Sequence, residues 1–144
     1  MSGFEVRHAR SDELARCLAI RREVFVDEQG VPIEAEMDAH DAACTHFLAL
    51  AAGEAVGTAR LRVTGDGRVK AERVAVRRSF RRAAVGRALM RALEDEARAR
   101  GRRELVLNAQ LPVVAFYERL GYRAEGPEFL EAGIPHRAMR KPLT

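Results

Sequence analysis

One stretch, residues 74–90, limits the possible folds more than any other. It opens with Val74-Ala75-Val76, a short apolar run suited to a buried strand. A turn carrying Arg77, Arg78, Arg81 and Arg82 follows. Val85, Ala88, Leu89, Ala92, Leu93 and Ala97 then recur at the spacing of one helical face, and Gly101 closes the pattern. A strand that feeds a long one-sided helix through a tight turn must bury that helix on a sheet, which points to an α/β arrangement. The same turn leads into a helix N-terminus, where free backbone N–H groups favour an anion.

The remaining chain fits one domain of this class. Residues 4–9 predict a first strand, and Ser11 an N-cap followed by Asp12 and Glu13 in the first helical turn. Leu14, Cys17, Leu18, Arg21, Val24 and Phe25 continue that helix until Gln29-Gly30-Val31-Pro32. Strands are predicted over 45–52, 55–63 and 68–76, the last two joined at Gly65-Asp66-Gly67. Glu104–Asn108 reads as a further strand, Pro112–Leu120 as a helix, and the stretch from about 122 to 142 as two late strands. The expected order is βα–βββ–αβ–αββ, a mixed α/β domain within 144 residues.

Charge is distributed unevenly. Residues 23–41 hold seven acids and no Lys or Arg, whereas residues 77–103 hold ten arginines against three acids. One region is expected to favour cations and the other anions. No apolar run approaches the ~20 residues of a membrane span, and the N-terminus lacks a signal-peptide layout. Cys17 and Cys44 form neither a disulfide framework nor a C-x-x-C motif, so a reduced, cytoplasmic protein is expected. No motif argues for a metal.

Two motifs then narrow the function. Arg81-Arg82-Ala83-Ala84-Val85-Gly86 approximates Q/R-x-x-G-x-G/A, with Ala84 in place of a glycine. Ala84 would resist a left-handed backbone. Downstream stands Asn108-Ala109-Gln110-Leu111-Pro112, then Phe116-Tyr117-Glu118-Arg119-Leu120-Gly121-Tyr122. Together these resemble the GNAT superfamily of acetyl-CoA-dependent acetyltransferases. The segment Arg22–Pro32, with Glu36, Asp38, Asp41 and His46, is similar to its ElaA-like or YjcF-like subgroup. The resemblance spans essentially the whole chain. It implies a central, mostly antiparallel sheet flanked by helices, and a single N-acetyltransferase domain over 1–144.

The resemblance also implies an acetyl-CoA co-substrate. Its contacts would be Val74, Ala75 and Val76 for the pantetheine, the loop Arg81, Arg82, Ala83, Ala84, Val85, Gly86 and Arg87 for the phosphates, and Asn108 and Tyr117. Tyr117 would protonate the departing thiolate or hydrogen-bond to it. Phe25, Glu28, Glu36 and Asp38 would line the acceptor side, where acids suit a cationic primary amine. Glu72, expected to share a strand face with Val74 and Val76, is one candidate base, acting directly or through water; His46 is its rival. Two other classes stay open: a non-catalytic acyl-CoA sensor of the same fold, and a nucleic-acid binder using the arginines of 77–103. The latter is disfavoured by the absence of Trp and of interleaved aromatics. The expected partner is a small-molecule or peptide amine rather than nucleic acid or a membrane, and a homodimer stays open.

Overall fold

The computed structural model describes residues 3–81 and 84–144. Seven strands make one sheet: β1 (Glu5–His8), β2 (Thr45–Ala51), β3 (Glu54–Val63), β4 (Val69–Val76), β5 (Glu104–Gln110), β6 (Arg123–Glu131) and β7 (Ile134–Pro142). Their spatial order is β1-β2-β3-β4-β5-β7-β6. Every neighbouring pair is antiparallel except β4 and β5. A parallel pair needs a crossover, and α3 (Val85–Ala99) supplies it.

The helices divide between the two faces. Val85, Leu89, Leu93 and Ala97 of α3 are fully buried against Phe47, Ala59, Leu61 and Ala71. Each large side chain so buried contributes about 1.5–3 kcal/mol relative to exposure. Gly57 of β3 admits this close approach: a Cβ there would lie 3.0 Å from Val85 Cγ1 and 3.1 Å from Leu89 Cδ1. The short helix α4 (Val114–Arg119) buries Tyr117 in the same core. The opposite face is covered by α1 (Leu14–Arg21), whose Cys17 and Ile20 pack on Leu48, Leu50 and Ala75. A π-helical stretch, Arg22–Glu28, prolongs α1, and a single turn, α2 (Ile33–Glu36), follows. Among the described residues no helix is long and apolar enough to cross a membrane.

Most expected elements are present, with local corrections. Ser11 does not cap the first helix. It begins a 3-10 turn, Ser11–Glu13, and the Glu13 carboxylate accepts the Arg10 N–H at 3.0 Å. Gly126 and Pro127 lie within β6 at a register shift, and the turn between β6 and β7 falls at Ala132-Gly133.

The largest departure from simple alternation is in β4. Arg60 pairs with Glu72 and Thr58 with Ala75, so Ala59 faces two residues, Arg73 and Val74. Arg73 takes the extra position with φ +56°. A bulge of this kind inverts the side-chain alternation beyond it. Ala71, Val74 and Val76 therefore all face α3, while Ala75 faces α1. Glu72 stands on the α1 face. The expected common face for Glu72, Val74 and Val76 is corrected: the bulge separates the carboxylate from the two valines.

Candidate active site

The bulge also limits how far β4 and β5 run together. Their ladder holds only Lys70 with Val106 and Ala71 with Leu107. Beyond it, Arg73–Val76 and Asn108–Gln110 are not paired to each other, and β5 continues against β7 instead. The strands diverge toward their carboxyl ends. A parallel sheet opening at such a point is where ligands bind in α/β folds.

Three elements converge at this opening. Gly86, in the first turn of α3, lies against Phe116 of α4 and Val76 of β4: a Cβ at Gly86 would be 3.3 Å from Phe116 Cζ and 4.0 Å from Val76 Cγ2. Its small size thus serves helix packing, in addition to the phosphate approach that the sequence suggested. Ala84 caps α3 at φ +64°, ψ +17°, the left-handed conformation that its Cβ disfavours. No side chain caps the helix, and its first internal bond runs from Ala88 N–H to Ala84 O at 3.1 Å. The N–H groups of Val85, Gly86 and Arg87 precede that bond and have no partner within the helix. Beside them is a groove of about 220 Å³ lined by Ala84, Arg87, Phe116, Arg119 and Leu120. Arg87 and Arg119 are exposed, and among the described residues neither pairs with a carboxylate. Free N–H groups, a helix dipole and two guanidinium groups without a carboxylate partner give this groove a positive potential. Arg81 is more constrained. It donates to Val76 O at 2.8 Å and to Glu28 Oε2 at 2.8 Å, tying the end of β4 to the π-helical stretch. Arg82 and Ala83 lie outside the described residues.

Tyr117 is 8% exposed and stacks edge-on with Phe116 and Tyr122, at ring separations of 5.0 and 5.8 Å. Burial pushes its hydroxyl pKa above the usual value for tyrosine. It is therefore protonated at neutral pH, a state fit to donate a proton and unfit to take one. Among the described residues its hydroxyl has no hydrogen-bond partner.

The acidic side of the opening is organised differently. Arg60 is 1% exposed and binds three carboxylates: Asp38 at 2.7 Å, Asp41 at 2.8 Å and Glu72 at 2.7 Å. Arg21, equally buried, holds Glu36 at 2.6 Å and Asp41 at 2.7 Å. Arg73 adds a bond to Asp38 at 3.1 Å. Glu36 and Asp38, expected on the acceptor surface, are instead partners of buried arginines, and Glu28 is bound to Arg81. Phe25 packs beside the α1-face core.

The two expected bases are also committed elsewhere. Burial alone would raise the Glu72 pKa, but hydrogen bonds from Arg62 and Arg60 and the charges of Arg60 and Lys70 outweigh it, bringing it down to about 2. A carboxylate that acidic is a poor proton acceptor for an ammonium ion. His46 Nε2 lies 2.9 Å from Asp41 O and so donates to it, and the same nitrogen is 3.8 Å from the Asp41 carboxylate. Glu72 is thus a member of the ion-pair scaffold, and His46 packs against it through Asp41.

The far wall of the opening contains residues that sequence reasoning missed. Gln110 donates to Gln29 at 2.8 Å, joining the end of β5 to the end of the π-helical stretch. Asn108, expected to contact the cofactor, donates to Glu131 at 3.1 Å. His136 is the cross-strand neighbour of Gln110 and stacks on Phe129. Only the spacing of β7 against β5 brings these together, and no local motif marks it.

Residues 7–143 match the family described as an acetyltransferase (GNAT) domain. The chain belongs to the GNAT acetyltransferase family. It is 42% identical over 131 residues to the uncharacterized N-acetyltransferase YjcF of Bacillus subtilis, an alignment that spans 90% of this chain and 93% of that one. Among solved structures it resembles an acyl-CoA N-acyltransferase from Pseudomonas aeruginosa, at TM-score 0.81 and 30% identity, covering 98% of this chain and 99% of that one. It also resembles Escherichia coli ElaA, at TM-score 0.82 and 28% identity with the same coverage. This GNAT domain is an acyltransferase that uses an acyl-CoA co-substrate. The diverging strands, the uncapped N-terminus of α3 and Tyr117 are the parts of the domain suited to that chemistry.

Proposed function

We propose that the protein transfers an acetyl group directly from acetyl-CoA to a primary amine. The observation that carries this reading is the convergence of Val76, Gly86 and Phe116 at the opening between β4 and β5, with Tyr117 buried immediately behind. The pantetheine would lie along the free edge of Val74, Ala75 and Val76, where backbone N–H groups can orient the thioester carbonyl. The pyrophosphate would sit on the N–H groups of Val85, Gly86 and Arg87, with Arg81, Arg87 and Arg119 supplying positive charge.

In this reading the neutral amine attacks the thioester carbonyl, forming a C–N bond. Collapse of the adduct breaks the C–S bond. The Tyr117 hydroxyl protonates the sulfur and regains a proton from the adduct nitrogen, leaving amide and free thiol. Holding both reactants at one opening supplies much of the rate through proximity.

The acids that would have attracted a cationic acceptor are already neutralised by Arg21, Arg60 and Arg73. The acceptor charge is therefore set by groups other than Glu36 and Asp38. The test is thiol release from acetyl-CoA across a panel of primary amines, alongside thermal denaturation. Saturating acetyl-CoA should raise Tm, since a ligand selective for the native state stabilises it, and at least one amine should release thiol. No Tm shift and no thiol release would contradict the reading.

A further inference from the structure

Neither expected base suits the opening: Glu72 is held ionised by Arg60 and Arg62, and His46 stands on β2, two strands behind the β4 wall. An ammonium ion cannot attack a thioester, so a proton acceptor must face the acceptor side of the opening. We propose that His136, oriented by the Ile134 carbonyl and paired with Glu131, is the general base that deprotonates the acceptor amine. This rests on the amine-acetylation reading above.

The position is suitable. β5 forms one wall of the opening, and Gln110 at its carboxyl end is paired in register with His136 of β7. Directly opposed residues on adjacent strands share a face, with Cβ atoms about 5 Å apart. That face is the α1 side: Leu107 and Ala109 point into the α3 core, and Gln110 bonds across to Gln29. The imidazole thus stands one strand from the wall of the opening, on the side opposite Tyr117.

The ring is held in one tautomer. Its Nδ1 lies 2.6 Å from the Ile134 carbonyl, an acceptor only, so Nδ1 carries the hydrogen. In the neutral ring Nε2 then has a free lone pair. Among the described residues Nε2 makes no hydrogen bond; the Glu131 carboxylate lies 3.7 Å away, beyond hydrogen-bond range but placed to form an ion pair once the ring has taken a proton. Glu131 is itself held by the Asn108 amide at 3.1 Å, and Phe129 stacks on the imidazole at 6.0 Å with 25° between the planes. The ring is 6% exposed. Its neighbour on β5 is Gln110, whose amide is bonded to Gln29, and Glu131 of β6 is its charged partner among the described residues.

The step balances. The ammonium proton moves to Nε2, giving a free amine and an imidazolium paired with Glu131. The amine attacks as described above, and the imidazolium later releases its proton to solvent. Glu131 is a positioning residue, acting through His136.

The decisive experiment is the pH profile of kcat/KM for the wild-type protein, H136Q and E131Q, with the best amine of the panel. Acetyl-CoA binding is measured on each by calorimetry. H136Q should lower kcat about 10²- to 10⁴-fold near neutral pH, leave acetyl-CoA affinity unchanged, and recover as pH approaches the amine's own pKa. E131Q, altered at a half-exposed side chain, should retain the fold and acetyl-CoA affinity and lower kcat by a smaller factor than H136Q, because the imidazolium formed in the step loses its carboxylate partner. A folded H136Q with wild-type kcat would overturn the proposal. So would an unchanged kcat in E131Q, which decides the matter if H136Q fails to fold. Absence of any turnover in the wild-type protein would instead overturn the acetylation reading, and this proposal with it.

Discussion

The two charged regions of the chain behave in opposite ways. Residues 23–41 are the more strongly acidic in sequence, yet Glu36, Asp38 and Asp41 are bound to Arg21, Arg60 and Arg73, and Glu28 to Arg81. Arg87 in the first turn of α3 and Arg119 at the end of α4 instead face an open groove beside uncapped N–H groups. Pairing, rather than composition, decides which charges a ligand meets. The acidic region is a scaffold beside the sheet opening, whereas the groove keeps two guanidinium groups without a carboxylate among the described residues.

The largest expected effect falls on the scaffold. Arg60→Ala leaves Asp38, Asp41 and Glu72 without their common partner, and breaking a buried ion pair from one side costs about 3–5 kcal/mol. Thermal denaturation should show a large fall in Tm; a loss under 1 kcal/mol would mean the acids are free enough to serve as a cation site. The second effect is smaller and falls on the groove. Arg87→Ala and Arg119→Ala should each weaken acetyl-CoA binding by about tenfold, from roughly 1.5 kcal/mol per charge-assisted contact. Tm without ligand should hold. Equal affinity in both variants would move the phosphates elsewhere.

Acid titration sharpens the same contrast. Hydrogen bonding to Arg60 holds the Asp38 pKa below the usual carboxylate range, and Glu72 is brought down to about 2. Both are depressed on folding, so their stabilisation is complete above the unfolded carboxylate pKa, near 4, and is lost as pH falls toward 2. Stability measured by denaturant between pH 6 and 2 should drop across that window, and less steeply in Glu72→Gln. The smallest effect is at the cap of α3. Ala84→Gly removes a left-handed alanine and should stabilise the protein by about 1 kcal/mol, with acetyl-CoA affinity maintained. A lower Tm would show that this conformation carries little cost.

Much of this was legible in the sequence, for identifiable reasons. The apolar stripe of α3 and the glycine turns are local signals, and they placed the crossover helix and the hairpins. Ala84 was legible even as a conflict, since the motif wants glycine where the backbone is left-handed. The bulge at Arg73 was not legible, because no glycine marks it, and one inserted residue reversed the face assigned to Glu72. The pairing of Arg60 with acids 12 to 22 residues away was hidden for a different reason: it depends on tertiary contact across separate elements. The same holds for His136, whose place beside Gln110 comes from β7 inserting between β5 and β6.

The account rests on the opening between β4 and β5 as the place of acetyl transfer, and Tyr117→Phe tests that most directly. The substitution keeps the ring in its stack with Phe116 and Tyr122 and removes only the hydroxyl. In a thiol-release assay at saturating acetyl-CoA and amine, kcat should fall about 10²-fold or more, while acetyl-CoA affinity and Tm stay near wild-type values. A folded variant with undiminished kcat would contradict the account and return Tyr117 to the role of a core side chain.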